Sequence, residues 1–266
     1  MQWLFVNLIG GLASFGGVAP GGVRDTEREA SRSALLGLCA AAFGIRRDEV
    51  ERQRELAAVL AFGVRVGAKT ELMRDYHTAQ APEESALKGR PRQSRRDELC
   101  VPKDKLNTVL SDRYYYANYV ATVGIQSESA DVLDELASAL RRPKFVLYLG
   151  RKSCPLAWPL SPLRLQASDW IAGLRAFDAE QSSRRNPAGM ALSRDVWSPI
   201  DDIWFGPDEF LHALHADLNT GLSPSELKDV RLHKRWDEPL DTAKRLFAPR
   251  DHQRFHQRPK TATEAL

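Results

Sequence analysis

Between Trp3 and Leu149 the apolar residues change their spacing again and again, and the order of those changes limits the possible folds more than any other property of the chain. Trp3 to Ile9 is a short apolar run of the kind that forms a buried strand. It ends at Gly10-Gly11 and enters a stretch broken by Gly16-Gly17 and Gly21-Gly22. Leu35, Leu38, Cys39, Ala42 and Phe43 then recur at helical spacing, and Gly44 stands where a helix end accepts a left-handed residue. Asp48 to Leu60 reads as a further charged helical piece, and Phe62 to Val66 alternates as a strand does. Tyr114 to Ile125 is rich in Tyr and Val and reads as a strand. Ser129 to Arg142 places Leu133, Leu136, Ala137 and Leu140 on one helical face, with Pro143 blocking continuation, and Lys144 to Leu149 is expected to be the last strand.

That succession is βαββαβ, the plan of a ferredoxin-like α+β domain, which RNA-recognition domains also use. Residues from about 67 to 112 interrupt it with Pro82, Gly89, Pro91 and Pro102, and are expected to form an extended arm without regular structure. The domain is expected over 1–160 with the arm inserted, followed by a smaller mixed α/β appendage over 161–266. In that appendage Trp170 to Phe177 and Pro207 to Asn219 read as helical, and Ala191 to Trp197 and Asp202 to Phe205 as strand-like.

Charge is unevenly spread. The whole chain carries +3, yet Lys88 to Lys105 holds seven Lys/Arg against three acids, and Arg231 to Lys260 holds nine against four. Each segment exceeds the total, so the remainder is net acidic, and one side of the protein is expected to face a polyanion. Two solvated basic loops are the plainer alternative. Cys39, Cys100 and Cys154 are odd in number and widely spaced, which indicates neither a disulfide framework nor a zinc site, and a reduced cytoplasmic home is expected. No Lys or Arg precedes Arg24, so the apolar start lacks the charged region of an export signal. No apolar run is long enough for a membrane span.

One string stands out for chemistry: Tyr148-Leu149-Gly150-Arg151-Lys152-Ser153-Cys154-Pro155-Leu156. Gly150 lets the backbone approach a ligand closely, Arg151 and Lys152 add charge, and Ser153 adds a hydroxyl. Taken alone, the string equally fits an ordinary basic loop leaving a strand. Arg32 and Ser33 begin the first helix, where amide donors and an arginine suit a phosphate, or merely form a solvated first turn. His77 is the best single candidate for a general base, but it has no identifiable partner. His212 with His215, and His252 with His256, have spacings that fit one helical face, yet surface histidines are the expected reading. The glycine doublets match no phosphate-loop motif, and no cofactor or metal is expected.

With these residues in view, the chain resembles the CasD family, the type I-E RAMP subunits of the CRISPR surveillance complex Cascade. Four strings in order carry the resemblance: Arg24-Asp25-Thr26 through Ser31 to Leu38, Arg74-Asp75-Tyr76-His77-Thr78, Tyr148 to Leu156, and Asp237-Glu238-Pro239-Leu240 followed by Arg245 to Ala248. The resemblance implies a RAMP core whose arm is a thumb, binding of the guide RNA 5′ handle, and a cap on the backbone filament, without catalysis. It implies handle contacts at Arg24, Arg32, Ser33, Arg113, Tyr148, Gly150, Arg151, Ser153 and Cys154, beside Lys152. The thumb would carry His77, Lys88, Arg90, Arg92, Arg95 and Arg96. Partners would be the guide RNA, the Cascade backbone and large subunits, and target DNA through the complex, with no membrane. Related subunits cut RNA, which makes a metal-independent endoribonuclease acting on repeat RNA the alternative.

Overall fold

A computed structural model describes residues 1–17, 21–67, 70–89, 93–185, 210–213, 218, 220–221 and 230–256. The first strand, β1 (Gln2–Ala13), alternates faces as a strand must: Leu4, Val6 and Leu8 enter one apolar cluster, Trp3 and Phe5 another. β2 (Val23–Arg24) is a two-residue strand, and α1 (Arg32–Phe43) follows, capped by the Ser31 hydroxyl accepting from the Ala34 amide. Gly44 ends α1 at φ 75°, the left-handed cap its position suggested. α2 (Val50–Val59) and β3 (Ala61–Val66) agree with the sequence reading.

The arm differs from expectation. β4 (Glu71–Pro82) pairs antiparallel with β5 (Leu106–Gln126) along its whole length, so the arm is a two-stranded ribbon projecting roughly 35 Å. Short 3₁₀ turns and α3 (Arg95–Leu99) close its tip. Nearly every β4 residue is exposed, so no apolar alternation marked the strand; the backbone ladder with β5 defines it. Arg90 and Arg92 lie outside the described residues.

α4 (Ala130–Arg141) packs beside α1. The expected strand over Lys144 to Leu149 is absent. The Lys144 and Phe145 amides instead donate to the Ala42 and Ala41 carbonyls at 3.1 Å each, which satisfies the C-terminal end of α1. The place beside β1 is taken by β6 (Leu163–Gln166), and α5 (Trp170–Arg185) comes next. Phe210 to Ala213, expected to be helical, form β7, which pairs with β3. β8 (Arg231–Asp241) and β9 (Leu246–His256) form a second hairpin. The strand-like readings over 191–197 and 202–205 lie outside the described residues.

The main path of the sheet runs β6-β1-β5-β3-β7-β9-β8, so strands from beyond residue 160 extend it at both edges. α1 and α4 cover one face through Leu35, Leu36, Leu133 and Leu136. On the other face Trp170 of α5 fills the space that Gly63 and Gly124 leave, 5.5 Å from Phe5 in a stacked pair. On that same face Arg65 meets Asp178 of α5 at 2.7 Å through both carboxylate oxygens. No described helix is long and apolar enough to cross a membrane.

Candidate nucleic-acid interface

Three separate parts of the chain wall one groove of about 1390 Å³. α1 supplies Ser33 and Gly37, the 145–152 loop supplies Tyr148, Gly150 and Lys152, and the β8–β9 hairpin supplies Pro239, Arg245 and Phe247. Arg46 and Arg47, just past the end of α1, complete the rim. Among the described residues the charged lining is Arg46, Arg47, Lys152 and Arg245 against Asp48, and these four cations are all exposed. Apolar side chains (Leu36, Ile45, Phe145, Val146 and Phe247) share the walls. A groove with cations along it and apolar or aromatic surface between them suits a flexible polyanion carrying bases.

The 149–154 turn is built tightly. The Leu149 amide donates to the Cys154 carbonyl at 2.8 Å, the Cys154 amide to the Arg151 carbonyl at 2.9 Å, and the Ser14 amide to the Leu149 carbonyl at 3.1 Å. Gly150 sits at φ 82°, and a Cβ there would overlap the Ser14 carbonyl oxygen. Its freedom thus serves an approach to the protein's own β1 end.

Of the ten residues expected to contact RNA, the structure brings Ser33, Tyr148, Gly150 and Lys152 into the groove. Tyr148 is half-buried and lines it. Ser153 is exposed on the same turn. Arg24 and Arg113 pair in register where β2 meets β5, at the foot of the long ribbon, and both are exposed. Arg151 joins them: its guanidinium donates to the Arg24 carbonyl at 3.2 Å and lies 4.8 Å above the Tyr115 ring.

Two expectations fail on burial. Arg32 is 3% exposed and its guanidinium is spent inside the protein, donating to Glu238 at 2.7 Å and to the Leu60 and Ala57 carbonyls at 2.8 and 2.6 Å. The Cys154 side chain is fully buried, which pushes its thiol pKa up. Burial also corrects His252, expected at the surface: it lies inside, its Nδ1 3.8 Å from Glu29, and on a strand rather than a helix. His212 lies on β7, and His215 is outside the described residues.

The ribbon carries His77, Lys88, Arg95 and Arg96, all exposed. His77 Nε2 lies 2.5 Å from Asp75 Oδ2, a partner that sequence spacing did not single out. Arg95 is turned back onto its own tip, held by Glu98 at 2.7 Å and by the Gln80 carbonyl. No group of His, Cys, Asp and Glu among the described residues is arranged to hold a metal ion.

The groove cations not singled out as site residues from sequence are Arg46, Arg47 and Arg245, the last counted only within the basic segment from Arg231 to Lys260. The Arg46-Arg47 doublet follows the Gly44 cap after one residue, Ile45, which was the available signal. Arg245 holds φ 57° in the turn of the second hairpin, a strained choice for a non-glycine residue and invisible in sequence.

Residues 3–250 match the family model described as CRISPR-associated protein (Cas_Cas5). The "CRISPR system Cascade subunit CasD" of Escherichia coli (strain K12) is 31% identical over 179 residues, which covers 63% of this chain and 73% of that protein. A solved chain titled "CRISPR RNA-guided surveillance complex" superposes with a TM-score of 0.58 at 24% identity, covering 98% of this chain and 92% of its own. Another, titled "Crystal structure of Cas protein", gives 0.52 at 24% identity over 97% and 93%.

Proposed function

The chain belongs to the CRISPR-associated Cas5 family as a CasD-type member, and from that membership we propose that it is a Cascade subunit holding the 5′ handle of the guide RNA. It lays the handle in the groove, caps one end of the complex's backbone, and does not cut RNA. Its neighbours are then the backbone and large subunits, it meets target DNA only through the complex, and it works in the cytoplasm. The antiparallel order β6-β1-β5-β3, with α1 and α4 on one face, supports reading the core as a ferredoxin-like RAMP domain and the β4–β5 ribbon as its thumb.

One observation carries the reading: Arg46, Arg47, Lys152 and Arg245 line one groove with a single carboxylate among the described lining residues. Phosphate contacts of this kind fix register and orientation on a nucleic acid, and apolar walls accept bases. The test is to express the tagged chain with its genomic neighbours and ask whether guide RNA co-purifies in stoichiometric amount. In the Lys152→Ala/Arg245→Gly double variant, the slope of log affinity against log salt for repeat-derived single-stranded RNA should fall by about 1.4, since each lost phosphate contact removes roughly 0.7. An unchanged slope refutes the groove. Cleavage of repeat RNA in chelator that disappears in His77→Ala would replace the binder with a nuclease, His77 and Asp75 being the pair to carry it.

A further inference from the structure

Resting on the reading of the groove as an RNA site, we propose that Arg32, Asp237 and Glu238 are positioning residues: they hold the β8–β9 hairpin in place as the groove's far wall and touch no RNA themselves. Outside its own pairing, the hairpin has one ladder among the described residues, between β7 and Gln253 to His256. From Arg235 to Arg250 no other described strand lies beside it. Yet that unsupported half carries Pro239, Arg245 and Phe247 into the groove wall. Among the described residues, side chains supply its remaining hold on the domain.

They do so at the start of α1. Asp237 is 3% exposed, and its Oδ2 accepts from the Arg32 backbone amide at 2.8 Å and from the Arg250 guanidinium at 2.9 Å. A carboxylate from the hairpin thus occupies the first amide of α1, where the helix dipole favours an anion. Arg32 then binds Glu238 through Nε while its two terminal nitrogens hold the end of α2 and the entry to β3. One guanidinium so joins α1, the α2–β3 junction and β8. Alongside, Glu29 is 1% exposed and draws Arg254 to 2.6 Å and Arg235 to 3.3 Å. At the turn itself, the Thr242 hydroxyl donates to the Arg47 carbonyl at 2.9 Å, which ties the hairpin to the cationic rim. A phosphate arriving at Arg32 would meet two carboxylates already in place.

The experiment separates a positioning role from direct contact. Affinity for repeat-derived single-stranded RNA is measured across a potassium chloride series for the full chain and for Arg32→Lys, Glu238→Gln and Lys152→Ala, with amide hydrogen exchange followed over 239–247. Lys152→Ala should lower the salt slope by about 0.7 and leave the hairpin protected. Arg32→Lys and Glu238→Gln should weaken binding about tenfold, with the slope unchanged and exchange over 239–247 faster. If Arg32→Lys fails to fold, Glu238→Gln, whose side chain is one-third exposed, carries the test. A lowered slope in Arg32→Lys with a protected hairpin would make Arg32 a phosphate contact and overturn the proposal. A loosened hairpin with full affinity would overturn it too, and leave the RNA reading of the groove standing. A parent chain that binds no RNA ends that reading, and the positioning role with it.

Discussion

Replacing Gly150 with alanine tests whether the 149–154 turn is locked by backbone geometry, and the structure sets the size of the effect. At φ 82° an L side chain costs about 1–2 kcal/mol. The added Cβ also falls on the Ser14 carbonyl, so β1 and the turn must separate, endangering the hydrogen bond from the Ser14 amide to the Leu149 carbonyl, about 1 kcal/mol. Alanine returns about 0.5 kcal/mol by restricting the unfolded chain. The net loss is about 2 kcal/mol, or a fall of about 4–8 °C in Tm for a chain of this size. Thermal and urea unfolding followed by circular dichroism measure it. Gly37→Ala is the internal control: it lies in α1 with nothing within 4 Å of where its Cβ would stand, so the same substitution should stabilise by about 0.5–1 kcal/mol. If Gly150→Ala stays within about 0.5 kcal/mol of the parent, the turn accommodates a side chain and the argument from close approach is wrong.

Three further outcomes are expected. Asp178→Ala deprives the Arg65 guanidinium, 5% exposed, of its bidentate carboxylate and should cost about 2–4 kcal/mol in urea unfolding, whereas an exposed pair such as Arg54–Glu51 should cost under about 1 kcal/mol. Arg245→Gly relieves a positive φ yet removes a groove cation, so it should leave Tm nearly unchanged while weakening RNA binding in a salt-dependent way. Alkylation with iodoacetamide followed by mass spectrometry should label exposed Cys100 first. Cys39, whose thiol burial pushes up to about 12, and Cys154, also raised by burial, should react only as the chain unfolds, because the thiolate is the nucleophile and a raised pKa keeps it scarce at neutral pH.

What could be read from the sequence followed from what each segment buries. β1, α1, α4 and the core half of β5 sit against the apolar layers, so their periods of 2 and 3.6 were visible in the residues. β4 stands clear of the core and is exposed on both faces, so no alternation marked it, and its charges and terminal Pro82 resembled a loop. Lys144 to Leu149 misled in the opposite way. Its apolar character comes from Leu147 and Leu149 as anchors and from Phe145 and Val146 on an exposed ledge, 46% and 82% accessible, rather than from a ladder. For the site, the string from Tyr148 to Leu156 drew attention to a turn that lines the groove, yet its side chains divide between groove and interior. Arg32 illustrates why: a charge at a helix start looks identical in sequence whether it meets a phosphate or, as here, a glutamate 206 residues away.

Three of the four strings that carry the family resemblance meet at one groove: Ser31 and Ser33 from the first, Tyr148, Gly150 and Lys152 from the third, Pro239, Arg245 and Phe247 from the last. Folding by itself gives no reason to gather Arg46, Arg47, Lys152 and Arg245 there, because like charges around one concavity repel and disfavour the compact state. The buried acids show the contrast. Glu29 and Asp237 each face arginines at close range, so the interior cations are neutralised within the chain while the groove cations face solvent with only Asp48 among the described lining residues. An arrangement that costs stability alone and is balanced only by an added polyanion predicts opposite signs for one change. Removing Lys152 and Arg245 together should hold or raise Tm at low salt while lowering affinity for RNA, and both effects should shrink as salt screens the charges. A double variant that loses stability and keeps its affinity for RNA would mean that these cations serve the fold and that the groove is not the RNA site proposed for it.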